Sequence, residues 1–367
     1  MVLSIYFYSV SSKLTSQYHQ QTSGFDQATT DFKTKISELE FQLSQVKSNQ
    51  ELMEKISQIK KTFISSIDVY QDLLDLKVEK INTAKADEKF AQVLKFLSQE
   101  NYASASALLV TLKADVAKLE PANSVVIPAN VPQVNTPPNS GFQKQVVKTD
   151  SGEFLVDIIS ADLKTTKVIV DTASDKDCHN DCPVMALAEY ANRSGAFAAI
   201  NGPYFCPATY PACADKKNTF DTLLMNKQKT YFNSDNNVYS NVPAAIFSSS
   251  SRFIAKSSEW GRDTSIDSVI AGQPLLVFNG QPMFAGDNDP KKSSKGNRAF
   301  IGATDSTVYI GVLHGVSVAD AAQVLSKMGI KNAINLDSGG SLALWQNGKY
   351  LAGPGRNTPF GILLVKR

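Results

Sequence analysis

An aspartate stands at the end of a short apolar run in Asn332 to Trp345, NAINLDSGGSLALW. Ala333, Ile334 and Leu336 read as a buried strand that stops abruptly at Asp337-Ser338-Gly339-Gly340-Ser341. Adjacent glycines accept φ > 0 and leave the main chain bare enough for a ligand to approach. A carboxylate presented there can do chemistry at the sheet edge, and the N–H groups of Gly339 and Gly340 can form an anion nest. The competing reading is a tight turn in which the aspartate caps its own backbone. His314, also at a strand end before a glycine, offers a second acid/base or phosphate-binding group. With three histidines and scattered acids, no spacing argues for a metal.

These residues need a scaffold, and composition bounds it. A chain of 367 residues is too long for one ordinary core, so two or more units are expected. The net charge of +2, from 37 basic and 35 acidic residues, comes without any polybasic run interleaved with aromatics. Nucleic acid is therefore not a favoured partner. Cys178, Cys182, Cys206 and Cys213 cluster in the C-terminal half. An even, clustered set points to disulfides and an oxidising compartment, with Cys178–Cys182 and Cys206–Cys213 as the local pairing and a crossed pairing left open. His179 lies between the first two cysteines, but the spacings are not those of common zinc modules. The apolar run Val2 to Val10 is too short to span a bilayer; it reads as a frayed terminus or as the outer end of a membrane anchor.

Residues 1–120 read as an all-α, coiled-coil-like stalk. Phe32, Ile36, Leu39, Leu43 and Val46 form a heptad seam, continued less cleanly by Met53, Ile56, Phe63, Ile67, Tyr70 and Leu74. The pattern predicts one long helix over residues 25–84, then two shorter antiparallel helices near 87–98 and up to Leu119. No chemistry is visible on the long helix, whose expected role is spacing or homo-oligomerisation. Residues 121–141, with five prolines from Pro121 to Pro138, read as a semi-rigid linker holding the helices at a distance.

Residues 142–367 change period to strands. Asp150-Ser151-Gly152 reads as a hairpin turn, Pro183 as the opening of a helix over Val184 to Asn192, and Val269 to Phe278 as a strand pair around Gly272-Gln273. Asn279-Gly280 is a further hairpin signal. Ser317 is the expected N-cap of the helix Val318 to Lys327, with Asp320 completing a box-like pattern. The fold class is α+β, a mixed sheet with flanking helices preceded by the helical stalk.

An ordered set of motifs then stands out: AAINGPYF at 198–205, RAFIGA at 298–303, VSVADAA at 316–322, NLDSGGS at 335–341 and GPGR at 353–356. On these, residues 145–367 resemble the uncovering-enzyme-like phosphodiester glycosidase domain family. The resemblance implies hydrolysis between a sugar's anomeric carbon and a phosphodiester oxygen, with no cofactor. It makes Asp337 the carboxylate beside an oxocarbenium-like centre and Arg298 a planar fork for the phosphate. Asp320 is the further catalytic candidate; Asn201, Ser341, Gly339, Gly340, His314 and Arg356 are the substrate-binding ones. Tyr204 and Phe205 either stack on a sugar or pack in the core. Two positions depart from the family: Ser338 stands where a glycine is usual, and Asp320 where glutamate is often found. The expectation is an exported or cell-surface hydrolase acting on a phosphoglycan or glycolipid. The alternative is a catalytically silent phosphoglycan binder that oligomerises through its helices.

Overall fold

The computed structural model describes residues 29–37, 50–78, 80–119, 125, 127–236, 238–287 and 289–367. The run Val2 to Val10 and the seam positions Leu39, Leu43 and Val46 lie outside them. The architecture is α+β, with N-terminal helices preceding a C-terminal sheet region.

Residues 29–37 are helical, and the described residues continue with α1 (Gln50–Val78), α2 (Ala84–Ser98) and α3 (Tyr102–Leu119). Val69, Leu73 and Leu76 of α1 close a core with Phe90, Val93 and Leu97 of α2 and Ala105, Leu109, Leu112 and Val116 of α3. Each fully buried Leu, Val or Phe there contributes roughly 1.5–3 kcal/mol. Of the described seam positions, Phe63 and Tyr70 pack against this core, whereas Met53 is exposed. Residues 25–84 are not one continuous helix. Phe32 sits 4.5 Å, centroid to centroid, from Phe63, whereas 31 residues of straight helix would part them by about 46 Å.

The strands, in chain order, are β1 (Gly141–Thr149), β2 (Gly152–Asp162), β3 (Thr166–Thr172), β4 (Ala198–Asn201), β5 (Leu224–Met225), β6 (Tyr231–Phe232), β7 (Ala244–Phe247), β8 (Ser251–Ile254) and β9 (Ser268–Ala271). They continue with β10 (Leu275–Phe278), β11 (Gln281–Pro282), β12 (Gly296–Ala303), β13 (Thr307–Val316), β14 (Asn332–Asn335), β15 (Leu344–Gln346), β16 (Lys349–Ala352) and β17 (Phe360–Lys366). A seven-stranded sheet runs β1-β2-β13-β12-β14-β10-β11; two five-stranded sheets run β16-β15-β4-β17-β3 and β6-β5-β9-β7-β8. One apolar core joins all three, including Ile159, Ile301 and Ile310, Ile200 and Ile362, and Phe247 and Ile270. On the other face of the large sheet lies α5 (Val318–Lys327), packing Val318, Ala321, Val324 and Leu325 against Phe300 and Leu313. Helix α4 (Leu187–Arg193) covers the outer face of the β16-to-β3 sheet through Leu187 and Tyr190.

Several expectations change here. The segment after Pro183 stays extended because Met185 pairs with Thr358, so α4 begins only at Leu187, with Glu189 reaching back to the Ala186 N–H. Residues 269–278 are not a strand pair: β9 and β10 belong to different sheets. The proline-rich segment is no free spacer. Gln133 makes a parallel bridge with Val146, and the buried Gln145 amide donates to the carbonyls of Val134 and Thr136, laying the segment along β1. Nor are the helices held at a distance, since α1 packs against the Gly339–Ser341 turn and the Pro211–Cys213 turn. Among the described residues, no helix is long and apolar enough to cross a membrane.

Candidate active site

The Asp337 turn lies where the end of β14 meets the end of β4. The Leu336 N–H donates to Ala299 on β12 at 2.9 Å, and the Asp337 N–H donates to Gly202 at 3.1 Å. Asn201 fixes the junction: its amide nitrogen donates to the Asp337 carbonyl at 2.7 Å, and its amide oxygen accepts the Ala343 N–H at 3.0 Å. Fully buried, Asn201 builds the turn from within. Asn335 does the same from β14, donating to the Tyr204 hydroxyl at 2.9 Å.

The Asp337 carboxylate accepts the Ser338 N–H at 2.8 Å and a hydrogen bond from the Ser341 side chain. Burial pushes its pKa up to about 7, against these two donors; the negative charge of Asp221 adds to the rise. Asp221 lines a cavity of about 310 Å³ together with His179, Lys216 and Phe220. Sequence reading did not single it out, because one aspartate in a polar loop carries no pattern.

Ser338 has φ −136° and ψ −163°, extended backbone open to any residue, and its hydroxyl accepts the Ala299 N–H at 3.3 Å. The departure from glycine therefore costs no backbone strain. Gly339, in contrast, has φ +56°. At Gly340 an added Cβ would collide with the Arg356 guanidinium, so this glycine is what lets Arg356 lie against the turn. The Arg356 N–H donates to the Gly340 carbonyl at 2.8 Å, tying GPGR to SGGS. Arg356 therefore lies against the Gly339–Ser341 turn.

Arg298 is buried, and its guanidinium donates to the carbonyls of Val316, Lys291 and Ser294 at 3.3, 2.8 and 2.7 Å. These bonds fix the loop that carries Lys291. Asp320 accepts the Ser317 N–H at 3.0 Å while the Ser317 hydroxyl accepts the Asp320 N–H, a full capping box at the start of α5. His314 bonds to the buried Asp157 at 2.9 Å, and Lys144 pairs with the same carboxylate at 3.2 Å. Phe205 is buried in the central core rather than presented for stacking.

Two residues that sequence reading passed over complete the arrangement. Asp75 projects from α1 and accepts hydrogen bonds from Arg356 and, at 2.6 Å, from the Tyr210 hydroxyl. Tyr210 has the Arg356 guanidinium 5.0 Å from its ring centroid and the Lys291 ammonium at 5.8 Å. Disulfides join Cys178 to Cys182 and Cys206 to Cys213, the second closing the loop that carries Tyr210. Both fit an oxidising compartment.

Residues 194–365 match the phosphodiester glycosidase family model. That stretch is therefore similar to phosphodiester glycosidase domains. Asn201, Arg298, Asp337 and Arg356 all lie within the matched residues, while Asp75 lies outside them. Among solved structures, the domain's fold is similar to the catalytic domain of zebrafish N-acetylglucosamine-1-phosphodiester alpha-N-acetylglucosaminidase, at 16% identity and a TM-score of 0.49, over 65% of this chain and 87% of that one. It is also similar to a hypothetical protein from Synechocystis, at 13% identity and a TM-score of 0.44, spanning 62% of each chain. A search of curated proteins finds no match.

Proposed function

We propose that the protein is an exported hydrolase that cleaves sugar-1-phosphodiester linkages in a surface glycopolymer or glycolipid. The observation that carries this reading is the Asp337 carboxylate, held at a strand end by two donors and set beside a turn against which Arg356 lies. In the proposed reaction, ionised Asp337 stabilises positive charge growing at the anomeric carbon. The departing phosphate is a good leaving group, so strong proton donation is less necessary than holding its anionic oxygens. Arg356 is the cation placed for that, with Lys291 on the neighbouring loop. Arg298 acts as a positioning residue by fixing the Lys291 loop, and Asn201 by fixing the turn. The two disulfides and the family match support an exported carbohydrate-active role.

The test is release of reducing sugar from a panel of methyl sugar-1-phosphodiesters. The reading expects turnover of at least one member. No turnover across the panel, with retained phosphoglycan binding, would favour the catalytically silent alternative.

A further inference from the structure

The cavity of about 310 Å³ between the two disulfide-closed loops holds two aspartates, Asp177 and Asp221, together with His179, Lys216, Thr219 and Phe220. Asp177 is committed to the backbone, accepting the N–H groups of Cys178 at 2.9 Å and Asn233 at 2.7 Å. Asp221 is not. Lys216 acts on it through charge, and among the described residues no group hydrogen-bonds its carboxylate. Yet its position is fixed from both sides. Phe220 is buried in the central core, its ring 4.5 Å from that of Phe232 and 5.0 Å from that of Phe360. Thr222 is buried as well, its hydroxyl donating to the Ala271 carbonyl at 2.8 Å. Asp221 stands exposed between these two anchors, a carboxylate open to water on a backbone with little freedom left to lose.

One short segment sets that position relative to Asp337. The Asp337 N–H donates to the Gly202 carbonyl at 3.1 Å, and Phe205 forms an antiparallel bridge with Phe220, the residue before Asp221. Gly202 and Phe205 are three residues apart, which the chain spans in at most about 10 Å. That is the scale on which paired carboxylates work in glycoside hydrolysis. The proposed reaction leaves one role unfilled. A phosphate leaving group needs little proton donation, but the water that replaces it must give up a proton. We infer that Asp221 is the general base that activates this water, which enters through the cavity. As the water oxygen bonds to the anomeric carbon, its proton passes to the Asp221 carboxylate. The anomeric C–O bond breaks with its electron pair leaving on the phosphate, and Asp221 releases the proton to solvent. The inference rests on the hydrolase reading and adds to Asp337 a second carboxylate with a separate task.

The experiment measures turnover of methyl sugar-1-phosphodiesters by the full chain, by Asp221→Asn and by Asp221→Ala, with and without sodium azide. Azide attacks without losing a proton, forming a C–N bond as the C–O bond to phosphate breaks, so it bypasses a missing base. Both variants are expected to lose at least about a hundredfold in kcat, with KM changed by less than about threefold. Azide is expected to restore turnover of Asp221→Ala at least about tenfold, with glycosyl azide detected by mass spectrometry, and to leave Asp337→Asn unimproved. Asp221→Asn, close to isosteric, carries the same comparison if the alanine variant does not fold. A folded variant that keeps kcat within about threefold of the parent, or a fall in kcat that azide does not relieve, overturns the proposal. With the parent active, either result leaves the hydrolase reading standing. A parent that turns over no member of the panel overturns the hydrolase reading and this inference with it.

Discussion

At the residue scale, the balance around Asp337 sets the pH behaviour. Its pKa of about 7 lies above the ordinary 3.8 because burial outweighs the donors Ser338 and Ser341. Between those two values the folded state holds a proton that the unfolded chain has lost. This group's contribution to stability is therefore fully present below about pH 4 and is lost as pH rises through 7. Urea unfolding at pH 5 and pH 8 should show that loss in the parent and a smaller one in Asp337→Asn. If ionised Asp337 is the working form, kcat/KM should climb through an apparent pKa near 7. Ser341→Ala, by removing a donor to the charged form, should carry that limb upward. A pH–rate profile that stays put in Ser341→Ala would detach the limb from Asp337.

At the element scale, several of the candidate residues hold the chain's own loops and helix starts. Ser317→Ala breaks the capping box of α5 and should lower unfolding free energy by about 1 kcal/mol, read by thermal or chemical denaturation. Arg298→Ala removes a buried guanidinium from three carbonyls, which should cost about 3 kcal/mol and loosen residues 287–295 to proteolysis. Arg298→Lys, lacking the planar fork, should recover only part of that. The capping box was legible because Ser317 and Asp320 are neighbours in sequence, and both α5 and the break after β14 follow from local pattern. The role of Arg298 was not, because a lone arginine before a strand reads alike whether it meets a ligand or its own loop.

At the scale of the whole molecule, what sequence could not supply was the meeting of distant parts. Asp75 stands between Leu74 and Leu76 of an amphipathic helix and reads as one member of its polar face. Only the folding of α1 onto the Gly339–Ser341 turn gives it Arg356, 281 residues away. Tyr210 was hidden in the same way inside a cysteine loop whose pairing was legible but whose direction was not. That loop's disulfide joins residues seven apart in sequence, so Cys206→Ala/Cys213→Ala should lower stability by roughly 2 kcal/mol, read by chemical denaturation. Unchanged stability in that double variant would show that the loop is held without the disulfide.

The proposed reaction depends on Asp337 as the group that acts at the anomeric carbon. Its most direct test is the initial rate of sugar release from a methyl sugar-1-phosphodiester, measured for the full chain and for Asp337→Asn. Turnover by the parent is expected, with a fall in kcat of at least about a hundredfold in Asp337→Asn and the fold retained. Equal rates in the two chains would contradict it.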